Sequence, residues 1–294
     1  MSKLIDSGGY GCIYYPKIDC SGNVHIEDKM ISKLINYNDA EHELYMAKKI
    51  KKIKNYKQYF IPAENSCTLN KQSNLKPCDA IKSYHSKFKI LYIPYKKNLP
   101  LTLSFRPLYH SLLESVNLLI QHKIVHYDLH ENNIINSDRI YLIDFGLSIN
   151  INNVYANVQK YFYTYYIKYY VWPLEVHLLN YRVNVGNITP DILSTICHDF
   201  VKYNVILKAS KPEFVKDYIS GSIQYYTPII TLSYNEFIKK CIQSWKTWDN
   251  YALIIYLFKL NYTIPNLFFK NIHYLPSERL SVSKCLELTA ASTA

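Results

Sequence analysis

The sequence lacks several features that would assign the protein to other classes. Its longest apolar run, Tyr251 to Phe258, is far shorter than the roughly 20 residues of a transmembrane helix. The N-terminus shows no apolar stretch of the kind that a secretory signal needs. No two of the seven cysteines have the close spacing of a zinc site. We therefore expect a cytoplasmic protein with no membrane partner, whose cysteines are thiols in a reducing compartment.

Arginine is scarce, although the net charge is +11. Only four of the 34 basic residues are arginine, and tyrosine, asparagine, isoleucine and lysine are abundant, as in proteins of AT-rich genomes. Sequence-specific contacts to bases and phosphates favour the guanidinium fork of arginine. We therefore attribute the positive charge to composition, and we do not expect nucleic acid to be a specific partner.

Strand patterns dominate the first third of the chain, and helical patterns dominate the rest. Strands are predicted on both sides of a glycine cluster at residues 8–11, at 30–35 and at 89–95, a helix at 39–53, and a polar loop at 65–86. Asp39 is the expected cap of that helix. Further helices are predicted at 108–122 and 248–260, and a hairpin at 134–143. This order predicts an α+β chain of two parts.

The most informative segment is His126-Tyr127-Asp128-Leu129-His130-Glu131-Asn132-Asn133, followed by Asp144-Phe145-Gly146. Phosphoryl transfer needs a carboxylate near the attacking hydroxyl and hard oxygen ligands for Mg²⁺. Asp128 suits the first role, and Asn133 and Asp144 suit the second. The two motifs, in this order, resemble the catalytic loop and metal-binding motif of eukaryotic-type protein kinases of the serine/threonine class.

The resemblance implies a two-lobed protein kinase fold that binds ATP and Mg²⁺ between its lobes. The N-lobe is expected at residues 1–96 and the helical C-lobe at 97–294. Glu175 and Asp249 are 74 positions apart, more than the family usually needs, so we expect a mainly helical insertion at about 180–245. The central helix of the C-lobe is then expected from about residue 248, and the protein is expected to be a monomer.

The resemblance also assigns ATP-binding residues near the N-terminus. The segment that resembles the glycine-rich loop comprises Ile5, Asp6, Ser7, Gly8, Gly9, Tyr10, Gly11, Cys12 and Ile13. Asp6 replaces the first glycine of the family pattern. Glycines at such sites let backbone N–H groups approach phosphates closely.

A phosphate-binding lysine is expected on the strand that follows the glycine segment. Lys33, in Met30-Ile31-Ser32-Lys33, resembles the lysine of V-A-I-K, and Lys29 is the alternative. Its expected partner is Glu43 in the next helix, with Glu41 as the rival.

Two further contacts with ATP are implied. The segment Leu91 to Lys96 resembles the adenine-binding hinge, where the Pro94 carbonyl would accept and the Lys96 N–H would donate, in a register uncertain by one residue. His130 stands where serine/threonine kinases carry a phosphate-contacting lysine. A neutral imidazole at this position could donate one hydrogen bond to the γ-phosphate.

Three residues in the second half extend the resemblance. Trp172-Pro173-Leu174-Glu175 resembles A-P-E, and Arg279 is the expected ion-pair partner of Glu175. Asp249, near the start of the central helix, is expected to hold the backbone of the catalytic loop.

Tyr127 replaces the arginine that often precedes the catalytic aspartate, so a phosphate on residues 147–171 would lack its usual partner. We therefore expect an enzyme that is active as synthesised.

Two other functions stay open at this point. The pattern H-x-D-L-H-x-x-N also occurs in aminoglycoside and choline kinases, so a small-molecule phosphotransferase is one alternative. The other is a catalytically inactive kinase-like scaffold. The size, insertion and composition resemble kinases encoded by large cytoplasmic DNA viruses, which implies a protein of the host cytoplasm or of the virion.

Overall fold

The computed structural model describes residues 3–8, 11–20, 29–69, 78 and 87–290, with the backbone alone at 6–8. It is an α+β chain in which a sheet of five antiparallel strands is followed by a helical region. The chain divides into two compact units. The first comprises residues 1–101 and 133–148, and the second comprises 102–132 and 149–294. Within the described ranges, no helix is both long and apolar enough to cross a bilayer.

The strands are short throughout the described chain. They are β1 (Lys3–Gly8), β2 (Gly11–Tyr15), β3 (Met30–Asn36), β4 (Phe60–Ile61), β5 (Asn65–Thr68), β6 (Phe88–Pro94), β7 (Ile124–Val125), β8 (Ile134–Asn136), β9 (Ile140–Ile143) and β10 (Ile149–Asn150). The helices are α1 (Tyr37–Ile50), α2 (Phe105–Gln121), α3 (Val158–Tyr161), α4 (Leu174–Asn184), α5 (Pro190–Tyr203), α6 (Val205–Lys208), α7 (Pro212–Ile230), α8 (Tyr234–Ile242), α9 (Trp248–Lys259) and α10 (Val282–Ala290).

The first unit is built on a sheet with the strand order β1-β2-β3-β6-β5. Strand β3 lies between β2 and β6, and its residues Leu34 and Ile35 are buried. Helix α1 buries Ala40, Ala47 and Ile50 among others, at the spacing of one helical face. A second sheet, β4-β9-β8, completes this unit and contains the predicted hairpin as β8 and β9.

Two local predictions in the first unit are wrong. Helix α1 is capped by Asn36, whose side chain accepts from the backbone N–H of Asn38 at 2.9 Å, and Asp39 lies inside the helix. An asparagine at the end of β3 satisfies one of the exposed N–H groups before Asp39 is reached. The expected polar loop begins with β5, which pairs with β6. Most of the remainder of that loop lies outside the described residues.

The prediction that all seven cysteines are thiols is also wrong. Disulfides join Cys12 to Cys78 and Cys20 to Cys67, all in the first unit. Because the partners are 66 and 47 positions apart, no short spacing in the sequence indicated them. Disulfides are rare in a reducing cytosol, so the cysteines give no support to that location. The remaining three, Cys197, Cys241 and Cys285, are buried thiols, as expected.

The second unit surrounds helix α9. Residues 248–257 of this helix are all buried, as expected for a helix that is apolar on every side. Helix α2 packs against α9 and α10. The Tyr109 hydroxyl donates to Asn250 Oδ1 at 2.6 Å and joins α2 to α9. The segment expected to be an insertion is mainly helical, with α5, α6, α7 and α8, which confirms the secondary structure predicted for it.

Candidate active site

Lys33 is the centre of an ion cluster in the first unit, in which Lys33 and Glu43 are buried and Asp144 is partly exposed. Its ammonium lies 2.8 Å from Glu43 Oε2 and 2.7 Å from Asp144 Oδ2. Lys33 lies on β3, Glu43 on α1 and Asp144 in the turn after β9. Glu43 is 10 positions away from Lys33 along the chain, and Asp144 is 111 positions away. The rival Glu41 is paired instead with Lys89. The structure therefore joins Lys33 to Glu43, the partner that the sequence favoured.

One ammonium is shared by two carboxylates in this cluster. Burial lowers the pKa of Lys33, but the charges of Asp144 and Glu43 outweigh it, so the net shift is upward and the lysine stays charged. Burial raises the pKa of Glu43 to about 7, in spite of the opposing effect of Lys33. With both acids ionised the cluster carries one excess negative charge, which an added cation would neutralise.

The turn at Asp144 fixes the direction of its carboxylate. Asp144 has a positive φ of 61°, a conformation that few non-glycine residues adopt and that aspartate tolerates better than most. Its Oδ1 accepts from the N–H of Gly146 at 3.2 Å. A Cβ at residue 146 would lie 3.2 Å from that same oxygen and 3.4 Å from Glu43 Oε2. Glycine at 146 therefore leaves room for the two carboxylates.

Asn133 and Asp144, the predicted metal ligands, both belong to the first unit. Asn133 ends a 3-10 turn and is buried, whereas the Asp144 side chain is 31% exposed. Over the described ranges, no group of three or more histidine, cysteine, aspartate or glutamate residues could hold a metal ion. One amide and one carboxylate fit a Mg²⁺ that takes most of its ligands from phosphates and water, and they do not form a complete site of their own.

The loop before Asp128 is held by Asp249 in the second unit. The carboxylate of Asp249 accepts from the backbone N–H groups of His126 at 2.7 Å and Tyr127 at 2.9 Å. Tyr127 has φ of 71°, a strained conformation for a bulky side chain. Its carbonyl accepts from the Trp172 indole at 2.8 Å, and its buried ring stacks on that indole at 4.8 Å. These contacts fix the backbone that presents Asp128.

The carboxylate of Asp128 contacts two side chains of the second unit. His130 Nε2 lies 3.3 Å from Asp128 Oδ1. The hydroxyl of Tyr169 donates a hydrogen bond to the same oxygen. The Asp128 side chain is 14% exposed. Asp128 can therefore accept a proton or a hydrogen bond from a hydroxyl group, and one hydroxyl of the chain itself is already there.

The predicted glycine-rich segment forms an antiparallel hairpin of β1 and β2, in which Gly8 is paired with Gly11. Gly9 and Tyr10 lie outside the described residues, and Ile5 is exposed. A Cβ at Gly11 would collide with Ile35 and with the Leu34 carbonyl of β3. This glycine is needed for close packing of β2 on β3, and its role in phosphate binding stays a prediction.

Strand pairing in the hairpin places four other residues of the glycine-rich segment. Asp6 is opposite Ile13, and Ser7 is opposite Cys12. The Cys12 side chain is fully buried in its disulfide. Cys12 can therefore offer a bound molecule its backbone alone.

The predicted hinge lies at the end of β6. Pro94 is paired with Met30 of β3, and Ile93 belongs to the apolar core of the first unit. The side chain of Lys96 bonds to Asp138 at 2.8 Å. The N–H of Tyr95 is bonded to the carbonyl of Lys29 at 2.9 Å, so Lys29 lies at the strand end, away from the Lys33 cluster.

Glu175 and Arg279 form the expected ion pair in the second unit. Two guanidinium nitrogens donate to the two carboxylate oxygens at 2.6 and 2.9 Å. The indole of Trp248 and the hydroxyl of Ser244 also donate to Glu175, each at 3.1 Å. Both charged side chains are almost fully buried.

Several contacts near these residues were not predicted from the sequence. They are the bond between Lys33 and Asp144, the bond between Tyr169 and Asp128, the cluster of Glu131, Tyr170 and Lys259, and the two disulfides. Each joins residues far apart in sequence, and no spacing pattern indicates such pairs. The run of tyrosines at 161–170 was the one available signal, and it does not show which hydroxyl faces a carboxylate.

No protein-family model matches the chain, and a search of curated proteins found no significant match.

Proposed function

We propose that the protein is an ATP- and Mg²⁺-dependent protein kinase of the eukaryotic type that phosphorylates serine and threonine hydroxyls. The observation that carries the proposal is the Lys33 cluster. The kinase resemblance had assigned separate roles to Lys33, Glu43 and Asp144, and their side chains meet in one ion cluster. Asp144 is 111 positions away from Lys33 in the chain, and chance folding gives no reason for it to meet this pair.

Each residue of the proposed mechanism has a role that suits its environment. Lys33, held by Glu43, binds phosphate oxygens through its ammonium. Asp144 and Asn133 offer hard oxygens to Mg²⁺, which when bound neutralises charge on the transferred phosphoryl group. Asp128 orients the acceptor hydroxyl and accepts its proton, on a backbone fixed by Asp249. The glycine-rich hairpin and the hinge at Pro94 and Lys96 are assigned to nucleotide binding by resemblance alone.

A small-molecule phosphotransferase is the second candidate, favoured by one contact. His130 approaches Asp128 within 3.3 Å, and a histidine two residues after the aspartate is also typical of aminoglycoside and choline kinases. Against it stands the buried pair of Glu175 and Arg279, which corresponds to the A-P-E glutamate and late arginine of protein kinases. The third candidate is an inactive scaffold.

We further propose a site of action in the host cytoplasm or the virion, as for the viral kinases that the sequence resembles.

Phosphate transfer from radiolabelled ATP to generic acidic and basic proteins separates the three candidates. A protein kinase labels at least one protein, a small-molecule phosphotransferase labels aminoglycosides or choline instead, and a scaffold labels neither.

Asp128→Asn should lower kcat by at least about 10²-fold, the scale of general-base and positioning effects. The matched control is Asp217→Asn, at an exposed position of α7, which should keep wild-type kcat. Unchanged turnover in Asp128→Asn would remove this residue from the mechanism.

Binding of Mg²⁺–ATP can be tested without turnover. A ligand that binds only the folded state raises the melting temperature. Mg²⁺–ATP should therefore raise the melting temperature of the wild type and raise it less for Lys33→Met. An equal shift in both proteins would exclude Lys33 from nucleotide binding.

A further inference from the structure

Tyr169 places a hydroxyl where the proposed acceptor hydroxyl belongs. Its O–H donates to Asp128 Oδ1, the oxygen that His130 also approaches. A substrate serine or threonine would have to donate to the same carboxylate before phosphoryl transfer. The chain's own phenol and a substrate hydroxyl therefore compete for Asp128.

The ring of Tyr169 is held by the elements that support Asp128. It lies edge-on against the Trp172 indole, with ring centroids 4.5 Å apart. That indole donates to the carbonyl of Tyr127, the residue immediately before Asp128. The backbone N–H of Tyr169 bonds to the Tyr166 carbonyl at 3.0 Å, which closes a tight turn. The phenol is thus positioned by packing as well as by its own hydrogen bond.

The next residue makes a second contact with the same loop. The hydroxyl of Tyr170 donates to Glu131 Oε2 at 2.9 Å. Lys259 bonds to Glu131 Oε1 at 2.6 Å, and its ammonium lies 4.0 Å from the centre of the Tyr170 ring. Partial burial raises the pKa of Glu131, but the hydrogen bonds from Lys259 and Tyr170 lower it and help to outweigh the effect of burial. The net shift of the Glu131 pKa is therefore downward.

We propose that Tyr169 and Tyr170 form an autoinhibitory latch, in which Tyr169 occupies the acceptor position at Asp128 and Tyr170 holds the segment to Glu131 and Lys259. The proposal rests on the proposed kinase function. The latch consists of hydrogen bonds between partly exposed groups, so a bound substrate can displace it at modest cost. Substrates that bind this segment well enough to displace the two tyrosines would be phosphorylated preferentially.

The test uses water as the acceptor, because the protein substrate is unknown. Tyr169→Phe removes the hydroxyl, keeps the ring against Trp172 and leaves space for a water beside Asp128. We expect kcat for Mg²⁺–ATP hydrolysis in the absence of any protein substrate to rise at least about threefold, with an unchanged KM for ATP. Tyr166→Phe is the matched control, because Tyr166 belongs to the same segment and is 53% exposed. It should hydrolyse ATP at the wild-type rate.

A role for Tyr169 in positioning Asp128 predicts the opposite result. In that case Tyr169→Phe would lower kcat, and an unchanged or lower rate overturns the latch. Hydrogen–deuterium exchange gives a readout that does not depend on turnover. Amides of residues 166–172 should exchange faster in Tyr169→Phe and in Lys259→Met than in the wild type or Tyr166→Phe, and equal exchange in all four proteins also overturns it.

The thermal-shift measurement with Mg²⁺–ATP separates this proposal from the proposed function. If nucleotide raises the melting temperature and Tyr169→Phe is no faster, the kinase assignment survives and the latch fails. If nucleotide does not bind the wild type, the kinase assignment fails and the latch, which depends on it, fails with it.

Discussion

The guanidinium of Arg279 makes two parallel hydrogen bonds to the carboxylate of Glu175, and both side chains are almost fully buried. The pair joins the start of α4 to the segment before α10, which are 104 positions apart. A bidentate pair of this kind fixes direction as well as distance, because the planar guanidinium matches the carboxylate. It therefore defines how these two parts of the second unit meet.

Removing one partner should be costly. Arg279→Ala leaves the Glu175 carboxylate buried without its cation, and we expect the free energy of unfolding to fall by about 3–5 kcal/mol. Glu175→Ala should cost a similar amount, and the double variant less than the sum of the two. Urea denaturation of the three variants measures this, with Arg106→Ala at an exposed position of α2 as the control. Additive losses would show that the two residues do not stabilise each other.

The Glu43 carboxylate should make stability depend on pH. Its folded pKa of about 7 is above the ordinary value of 4.5, so between these values the folded chain binds a proton that the unfolded chain releases. Stability therefore falls as pH rises from about 4.5 to about 7. Comparing wild type with Glu43→Gln by urea denaturation across this range isolates the effect, and the stability advantage of the wild type should shrink with rising pH.

The control for that series is Glu41→Gln, which alters an exposed glutamate of the same helix. Its stability should run parallel to that of the wild type at every pH. A stability difference between wild type and Glu43→Gln that is constant, or that grows with pH, would contradict the upward pKa shift of Glu43. Addition of Mg²⁺ and ATP should weaken the pH dependence, because a bound cation near Asp144 favours the ionised cluster.

The two disulfides should contribute to the stability of the first unit. Closing the 66-position loop between Cys12 and Cys78 restricts the unfolded chain, and the chain-entropy treatment gives about 4 kcal/mol for a loop of this length. A phosphine reductant should therefore lower the melting temperature. A variant with Cys12, Cys20, Cys67 and Cys78 all changed to alanine should melt at a lower temperature and be insensitive to the reductant.

Alkylation of the unfolded protein, followed by mass spectrometry, counts the thiols directly. Without reductant, only Cys197, Cys241 and Cys285 should be labelled, and with reductant all seven cysteines should be labelled. Seven labelled cysteines in protein purified without reductant would show that the disulfides do not form under those conditions.

The parts of the structure that were predictable from the sequence depend on local patterns. Helix α1, strand β6 and helix α9 were identified because apolar residues recur at the period of a helix or fill a short run. Lys33 and Glu43 were paired because a motif set the strand register and the helical face favoured Glu43 over Glu41. These patterns each involve residues that are close together in the sequence, so a single sequence is sufficient to recognise them.

The remaining features depend on contacts between distant segments. Asn36 rather than Asp39 caps α1, because the end of β3 decides where the helix begins. The partner of Cys12 is 66 positions away, and the partner of Tyr169 is 41 positions away. Spacing does not encode which cysteines or tyrosines meet, because those pairs form only after the sheet and helices have packed.

The segment after Asp144 should function without phosphate. Tyr127 is uncharged, and both its ring and its hydroxyl already have partners. The ring stacks on Trp172, and the hydroxyl accepts from Asn180 at 3.1 Å. It cannot serve as a cationic partner for a phosphate on residues 147–171. Several tyrosines of this segment already have structural contacts. The Tyr161 hydroxyl donates to Asn153 at 3.0 Å, and Tyr165 lies edge-on against Tyr181.

Phosphate on Tyr169 or Tyr170 would be unfavourable, because it would place charge beside the carboxylates of Asp128 or Glu131. We therefore expect the purified enzyme to keep its initial rate after treatment with a broad phosphatase, once mass spectrometry confirms that phosphate is absent. A fall of more than about tenfold that is restored by preincubation with ATP would contradict this expectation. Lys160 and Lys168, the nearest cations in sequence, would then be the candidates for binding the phosphate, and their replacement by methionine would test that role.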